Sequence, residues 1–301
     1  MRTTEKRPSK PRQAAPPKSK SYPASIPARP VEITGVTEWQ DGKVARFEDY
    51  LVGEEPLEIR IGDRPISVTM RTPGHDLELA TGFLLTEGVI TGGEQIARLQ
   101  QIVTRGHKRN GVRVDLVRGV RIKPSLLQRN FVVSSSCGLC GKSSIDTVRV
   151  RGIGRPNPDL QVSPDVLCLL PDALRSAQPL FGRTGALHAA GLFDQTGKLI
   201  ALREDVGRHN AVDKLIGWAL LEKRLPLKES IMLVSGRGSF EIVQKALVAG
   251  VPIVACVSAP SSLAAQLAWE FNLTLVGFLR GKRFVVYTGE ERVRLEPASE
   301  Q

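Results

Sequence analysis

The chain reads as an α/β protein, a three-layer C-terminal domain behind a smaller N-terminal α+β domain. Two patterns predict this. From residue 185 onward, strand-length apolar runs alternate with helix-length amphipathic segments. Consecutive β-α-β units imply neighbouring parallel strands with right-handed crossovers. Before residue 125, strand-like segments alternate apolar and polar residues at period two, and one segment alone has helical spacing. The organisation that follows is a basic tail over 1–30, an α+β domain over 31–125, a mobile loop over 126–146, the α/β domain over 147–290 and a tail over 291–301.

Residues 57–61 and 66–70 alternate around Gly62-Asp63, which predicts a β-hairpin. Asp76, Leu77, Leu79, Ala80, Phe83, Leu84 and Val89 predict a helix over 76–90, with Asp76 placed to cap its first turn. Strands follow at 101–105 and 112–117, then a long loop over 124–146 with a short helical piece at 125–129. A loop of that length in a compact protein is usually functional or disordered. Strands at 189–193 and 199–203 flank the turn Gln195-Thr-Gly-Lys198, and an amphipathic helix covers 205–221. Strands at 231–235, 252–258 and 273–279 then alternate with helices at 239–249 and 261–271. In such sheets ligands bind at the carboxyl ends of the strands.

With 301 residues, 41% hydrophobic and 5% aromatic, the chain suits one or two globular domains with an aliphatic core. No apolar run approaches the roughly 20 residues of a membrane helix, and the N-terminus has no apolar signal core. Four cysteines do not make a disulfide framework, so the expected compartment is the cytoplasm. The net charge of +11 raises the question of nucleic acid, and its distribution answers it. Residues 1–30 hold eight bases against one acid, so most of the excess sits in a Pro-, Ser- and Lys-rich tail with little to bury. That tail is expected to be a disordered, solubilising arm, and no nucleic-acid partner is expected.

Cys137-Gly-Leu-Cys140-Gly, between Ser134-Ser-Ser136 and Lys142-Ser-Ser144, carries the chemistry. The thiolate is the reactive form, and backbone N–H groups or a cation near the sulfur raise its population. Gly138 and Gly141 let the backbone bend around each sulfur, and Lys142 adds positive charge. Two intervening residues also let the thiols exchange a disulfide or pass a bound sulfur. A zinc site or an incidental pair stays open beside that reading. Zinc needs four ligands, whereas Cys168 and Cys256 are single and lie in apolar runs that suit buried core thiols. The zinc deaminase pattern is incomplete, because Ser136 replaces the proline before the pair and no H-x-E precedes it.

Other segments are individually weak. Ser235-Gly-Arg-Gly-Ser239 offers a phosphate-binding strand-to-helix turn or an ordinary glycine turn with Ser239 as cap, and Glu241 stands where a dinucleotide fingerprint has its third glycine. Arg280-Gly-Lys-Arg283 suits a polyphosphate or a solvated turn. Asp205, Arg208 and His209 fall within one turn of each other, and His188 reads as a buried or a catalytic histidine.

Taken together, Cys137-Gly-Leu-Cys140-Gly, Thr184-Gly-Ala-Leu-His188-Ala-Ala, Glu204-Asp-Val-Gly-Arg-His209-Asn-Ala-Val-Asp213-Lys214, Val243-Gln-Lys245 and Asn272-Leu-Thr-Leu-Val-Gly-Phe278 resemble the FdhD family, the formate dehydrogenase accessory sulfur carriers, over residues of about 35 to 290. The resemblance implies a sulfurtransferase that accepts sulfur from a cysteine desulfurase as a persulfide. It then passes the sulfur to the molybdenum cofactor, as bis(molybdopterin guanine dinucleotide), before that cofactor enters formate dehydrogenase. It implies a cytidine-deaminase-like fold without the zinc, no permanently bound metal, and a homodimer. By position, Cys137 would carry the persulfide with Cys140 as its partner, and Phe278, Leu279, Arg280, Gly281, Lys282 and Arg283 would contact the cofactor as bound substrate. The alternative is a CxxC metal-binding or thiol redox module.

Overall fold

Period-two alternation organises the first half of the chain as ladders. The computed structural model describes residues 29–104, 107–122, 131–133, 148 and 153–295. Strands β1 (Val31–Gln40) and β2 (Lys43–Val52) form a two-stranded antiparallel sheet, turning at Asp41-Gly42, where both residues take positive φ. Asp-Gly is the residue pair such a turn favours. This hairpin has no counterpart among the expected elements. It leans on the body through the Arg183 guanidinium, 4.9 Å from the Tyr50 ring centroid.

The expected hairpin is present as β3 (Glu55–Ile61) and β4 (Arg64–Arg71). With β5 (Ile96–Thr104), β6 (His107–Leu116) and β7 (Phe131–Val133) they make a five-stranded sheet in the order β5-β6-β3-β4-β7. The short strand β7 lies inside the stretch read as one long loop, and the helical piece expected at 125–129 lies outside the described residues. Leu57, Ile59, Val112 and Val114 are fully buried beneath helix α1 (Asp76–Thr86).

That helix ends four residues earlier than expected, and Asp76 does not cap it. The N-cap is His75 in the left-handed conformation, with no side-chain cap. The Asp76 carboxylate instead takes two hydrogen bonds from fully buried Arg71, from Nε at 2.8 Å and Nη2 at 3.0 Å, and a third from Gln101 at 3.0 Å. A buried guanidinium without its carboxylate would be left uncompensated, so the ion pair takes precedence over the cap.

The second half follows the expected alternation with additions at both ends. Helices α2 (Pro164–Ser176) and α3 (Pro179–Thr184) precede β8 (His188–Phe193) and β9 (Leu199–Asp205). Then come α4 (Arg208–Leu221), β10 (Ile231–Val234), α5 (Phe240–Val248), β11 (Ile253–Cys256), α6 (Ser262–Glu270), β12 (Thr274–Arg280) and β13 (Arg283–Thr288). The sheet order is β13-β12-β11-β10-β8-β9, parallel through β10, β11 and β12 and antiparallel at the flanks. Met232, Val234 and Val254 face α4, α5 and α6, whereas Ile231, Leu233, Ile253 and Ala255 face α2. Three layers result, in the α/β class the alternation predicts.

One core unites both halves, because α1 lies directly on α4. A Cβ built on Gly82 would sit 1.9 Å from the Asp213 carbonyl oxygen, and one on Gly217 would sit 1.8 Å from that of Glu78. The two backbones therefore touch where neither helix has a side chain. Nearby, Glu78 of α1 holds Arg203 of β9 in a two-pronged ion pair, with Nη2 to Oε1 at 2.7 Å. Lys245 of α5 reaches Asp213 at 2.9 and 3.0 Å and Thr86 of α1 at 2.8 Å, all buried.

Two outcomes follow. Gly217→Ala is expected to destabilise by about 3 kcal/mol, because backbone faces backbone and no rotamer can yield, and to lower the melting temperature by several degrees; an unchanged Tm would mean the helices do not meet there. Burial alone would raise the Glu78 carboxyl, but its bonds to Arg203 and His75 outweigh this and bring it from 4.5 down to about 2. The ion pair thus contributes fully above about pH 4.5, and its contribution is lost as pH falls toward 2. Arg203→Met should remove that component from an acid-unfolding curve, and superimposable curves would place the acid sensitivity elsewhere.

Candidate functional site

The polar residues singled out in the second half gather at the carboxyl ends of β10, β11 and β12. Asp205, at the end of β9, is fully buried and forms the hub. Its Oδ2 meets Lys214 Nζ at 2.7 Å and accepts from the Thr72 N–H at 3.1 Å. Its Oδ1 accepts from the Gly207 N–H at 2.8 Å and from Asn210 Nδ2 at 3.1 Å. Lys214 Nζ also donates to the Thr72 carbonyl at 2.8 Å. Asn210 donates to the Met70 carbonyl at 2.7 Å and accepts from Thr69 at 3.3 Å. The N-terminus of α4 is thereby fastened to the end of β4.

Three loops close over this edge. Ser235 exchanges bonds with Ala189, donating its N–H to the carbonyl at 3.0 Å and accepting at Oγ from the N–H at 2.9 Å. A Cβ on Gly238 would lie 2.7 Å from Cys256 Sγ, and one on Gly277 2.8 Å from Pro260 Cδ, so both glycines permit close loop packing. Ser261 caps α6, its Oγ accepting from the Ala264 N–H at 3.2 Å.

Ser239 occupies the N-cap of α5, but its side chain makes no cap bond there. Its hydroxyl lies 3.2 Å from His209 Nε2, which also meets Glu241 Oε2 at 2.6 Å. Both partners share one ring nitrogen, so the ring is no relay between them and this is not a hydrolase triad. Burial raises the Glu241 carboxyl, but the His209 bond and nearby cations prevail, and it stays below its ordinary value. His188 is half-buried at the start of β8, and burial, with the Arg208 and His209 charges, lowers its basicity. Its imidazole is therefore neutral near pH 7.

Phe278, Leu279, Arg280, Gly281, Lys282 and Arg283 span the β12–β13 turn at one end of the edge. Arg280, Gly281, Lys282 and Arg283 are exposed, and Arg280 Nε donates to the Val257 carbonyl at 3.1 Å. Phe278 has φ of 52°, in the left-handed region, at a ladder irregularity. A bulky residue there costs on the order of 1–3 kcal/mol, and bulges of this kind re-aim side chains beside binding sites. Leu279 differs from its neighbours, being fully buried in the layer against α2.

The two cysteines on which the sequence reading centres, Cys137 and Cys140, lie outside the described residues. The other two sit in environments that disfavour the thiolate. Cys256 is fully buried and its thiol is pushed up to about 12 by burial. Cys168, expected in the core, is partly exposed on α2, and its thiol is also raised, by partial burial and by Asp165. Among the described residues no three His, Cys, Asp or Glu side chains gather as a metal site, and no helix is long and apolar enough to cross a membrane.

Residues 52–294 match the FdhD/NarQ family. The chain belongs to this family. The Sulfur carrier protein FdhD of Streptomyces coelicolor is 51% identical over 90% of this chain and 98% of its own length. That of Sulfolobus acidocaldarius is 43% identical over 89% of this chain and 99% of its own. The crystal structure of a candidate formate dehydrogenase accessory protein from Desulfotalea psychrophila superposes with a TM-score of 0.70 at 25% identity, covering 88% of this chain and all of that one.

The structure gives a physical role to several motif residues of this FdhD/NarQ member. Asp205, Asp213, Lys214 and Lys245 are held in buried networks, with half-buried Asn210 bonded to Asp205, and do not face solvent as free reactants. A thiol titrating at about 12 has almost no thiolate near neutrality. Cys256 is therefore expected to resist iodoacetamide at pH 8 in the native protein and to react once the protein is unfolded; equal labelling in both states, read by peptide mass spectrometry, would contradict its burial.

Proposed function

We propose that this FdhD/NarQ member is a sulfur carrier that serves formate dehydrogenase, taking sulfur from a cysteine desulfurase on Cys137 and delivering it to bis(molybdopterin guanine dinucleotide) held at the strand edge. The observation that carries this is the register of β7. Val133 pairs with Thr69 in a parallel ladder, and Thr69 contacts Asn210 in the first turn of α4. Four residues of chain span at most about 14 Å, so covalent geometry alone keeps Cys137 within that distance of Val133. Strand β7 runs parallel to β4, toward the end of β4 that Asp205 and Lys214 fasten. That reach supports a carrier thiol able to visit the edge where ligands of such sheets bind.

The chemistry balances. The Cys137 thiolate attacks the outer sulfur of the desulfurase persulfide, the desulfurase cysteine leaves as thiolate, and the sulfur remains on Cys137 as a persulfide, a reversible cap. Delivery as sulfide takes two electrons, which Cys140 supplies by attacking the inner sulfur and closing a disulfide. The cofactor is substrate here. Its phosphates suit charge-assisted bonds from Arg280, Lys282 and Arg283, and holding it beside the tether makes transfer effectively intramolecular. The raised thiols of Cys168 and Cys256 leave Cys137 and Cys140 as the pair suited to nucleophilic work.

Cys137→Ala is expected to abolish activation of formate dehydrogenase in cells lacking another copy, with an unchanged melting temperature. Incubation of the unmodified protein with a desulfurase and cysteine should add the mass of a sulfur atom at Cys137. Activation retained by the variant, or stoichiometric zinc with no sulfur uptake, would overturn the proposal.

A further inference from the structure

At the other end of the strand edge stands a cluster that the turn at 280–283 does not include. Arg208 opens α4, and its buried Nε has no hydrogen-bond partner. The residue is half-buried, and its terminal nitrogens make no bond to the described residues, so they are free to take an acceptor from solvent or a ligand. The nearby carboxylates are committed elsewhere, Glu241 to His209 and Asp205 to Lys214. Helix α4 begins at Gly207 with no side-chain cap and no acid in its first turn, so its first N–H groups also face the edge without a side-chain acceptor.

Gly236 explains what this cluster surrounds. Its φ is not in the left-handed region, so the backbone does not require glycine there. Packing does not require it either. The nearest atoms a Cβ would meet are those of His188 at 3.4 and 3.5 Å and Arg208 Cδ at 3.7 Å, ordinary contact distances, unlike the 2.7 Å collision at Gly238. A glycine that neither conformation nor packing demands, bordered by an imidazole and an unpartnered guanidinium, leaves room for a ligand to approach the backbone.

We propose that Arg208 and His188, around Gly236, form an anion seat for a phosphoryl group, separate from the turn that carries Arg280, Lys282 and Arg283. In the sheet β8 stands three strands from β12, about 14 Å, so one phosphate does not touch both. The inference rests on the proposed cofactor reading in taking that phosphoryl group to be part of a guanine nucleotide arm. Arg208 supplies paired donors to the phosphate oxygens, and His188 adds a donor from its neutral ring.

Titration calorimetry of the full chain with GDP and with inorganic pyrophosphate tests this. Arg208→Gln is expected to weaken both by about tenfold or more and to flatten the salt dependence, without lowering the melting temperature. Gly236→Ala keeps ordinary contacts and should fold, yet weaken both ligands by filling the approach. Arg208→Gln binding pyrophosphate and GDP as tightly as the wild type, while Arg280→Ala with Arg283→Ala loses them, would overturn the seat and leave the cofactor reading standing. No binding of GDP by the unmodified protein would overturn both.

Discussion

The close approach of α1 and α4 is the constraint on which the rest of the molecule depends. Gly82 and Gly217 bring two backbones within contact, and side chains on either residue would hold them apart. Once the helices touch, the ladder of the first half and the three layers of the second bury a common core, from Leu57 through Leu215 to Leu275. The glycines give up helix propensity, roughly 1 kcal/mol each, which the packing along that contact must offset. What the contact gains is position, because α4 has little freedom to slide along α1 without a collision.

Position is then fixed by charge. Lys214 meets Asp205 and the Thr72 carbonyl, and Lys245 meets Asp213 and Thr86. Buried ion pairs of this kind are poor sources of net stability, since desolvation consumes much of their attraction, but a displaced partner leaves an uncompensated charge. They therefore discriminate sharply against neighbouring registers. Both networks cross from the second half to the first, so the N-terminus of α4, with Arg208 and His209, is set against the end of β4 from two sides. The edge built this way is preorganised before any ligand arrives.

The second half was legible because its period is strong. Strands β8 to β12 and helices α4 to α6 fall where apolar runs and amphipathic spacing put them, with ends displaced by a residue to a few. The hairpin β1–β2 has no counterpart in the sequence reading although Glu32, Thr34 and Glu38 interleave with apolar residues ahead of Asp41-Gly42; it buries little on either face, so no core-forming run marks it. Helix α2 was obscured by Pro171 inside it and by reading the run around Cys168 as core, although Ser163 followed by Pro164 is a start signal. At the site, sequence proximity found Asp205, Arg208 and His209 but not the partners of Asp205 and His209. Glu241, Ser239 and Thr72 are brought to them by tertiary contacts, at separations up to 133 residues, which no local pattern encodes.

The fate of the two described thiols bears on sulfur transfer itself. The outer sulfur of a persulfide is open to attack by any thiolate within reach, so a carrier with a competing nucleophile at its own site would lose its cargo to it. Cys256 ends β11 at that edge, directly beneath Gly238. Its burial, with a thiol pushed up to about 12, keeps it protonated and out of contact with solvent. Gly238 matters here in a second way, because a side chain at 238 would force the loop off Cys256 and open the sulfur to the edge. The same close packing that shapes the floor of the site thus keeps a thiol at the strand edge from competing for a transferred sulfur.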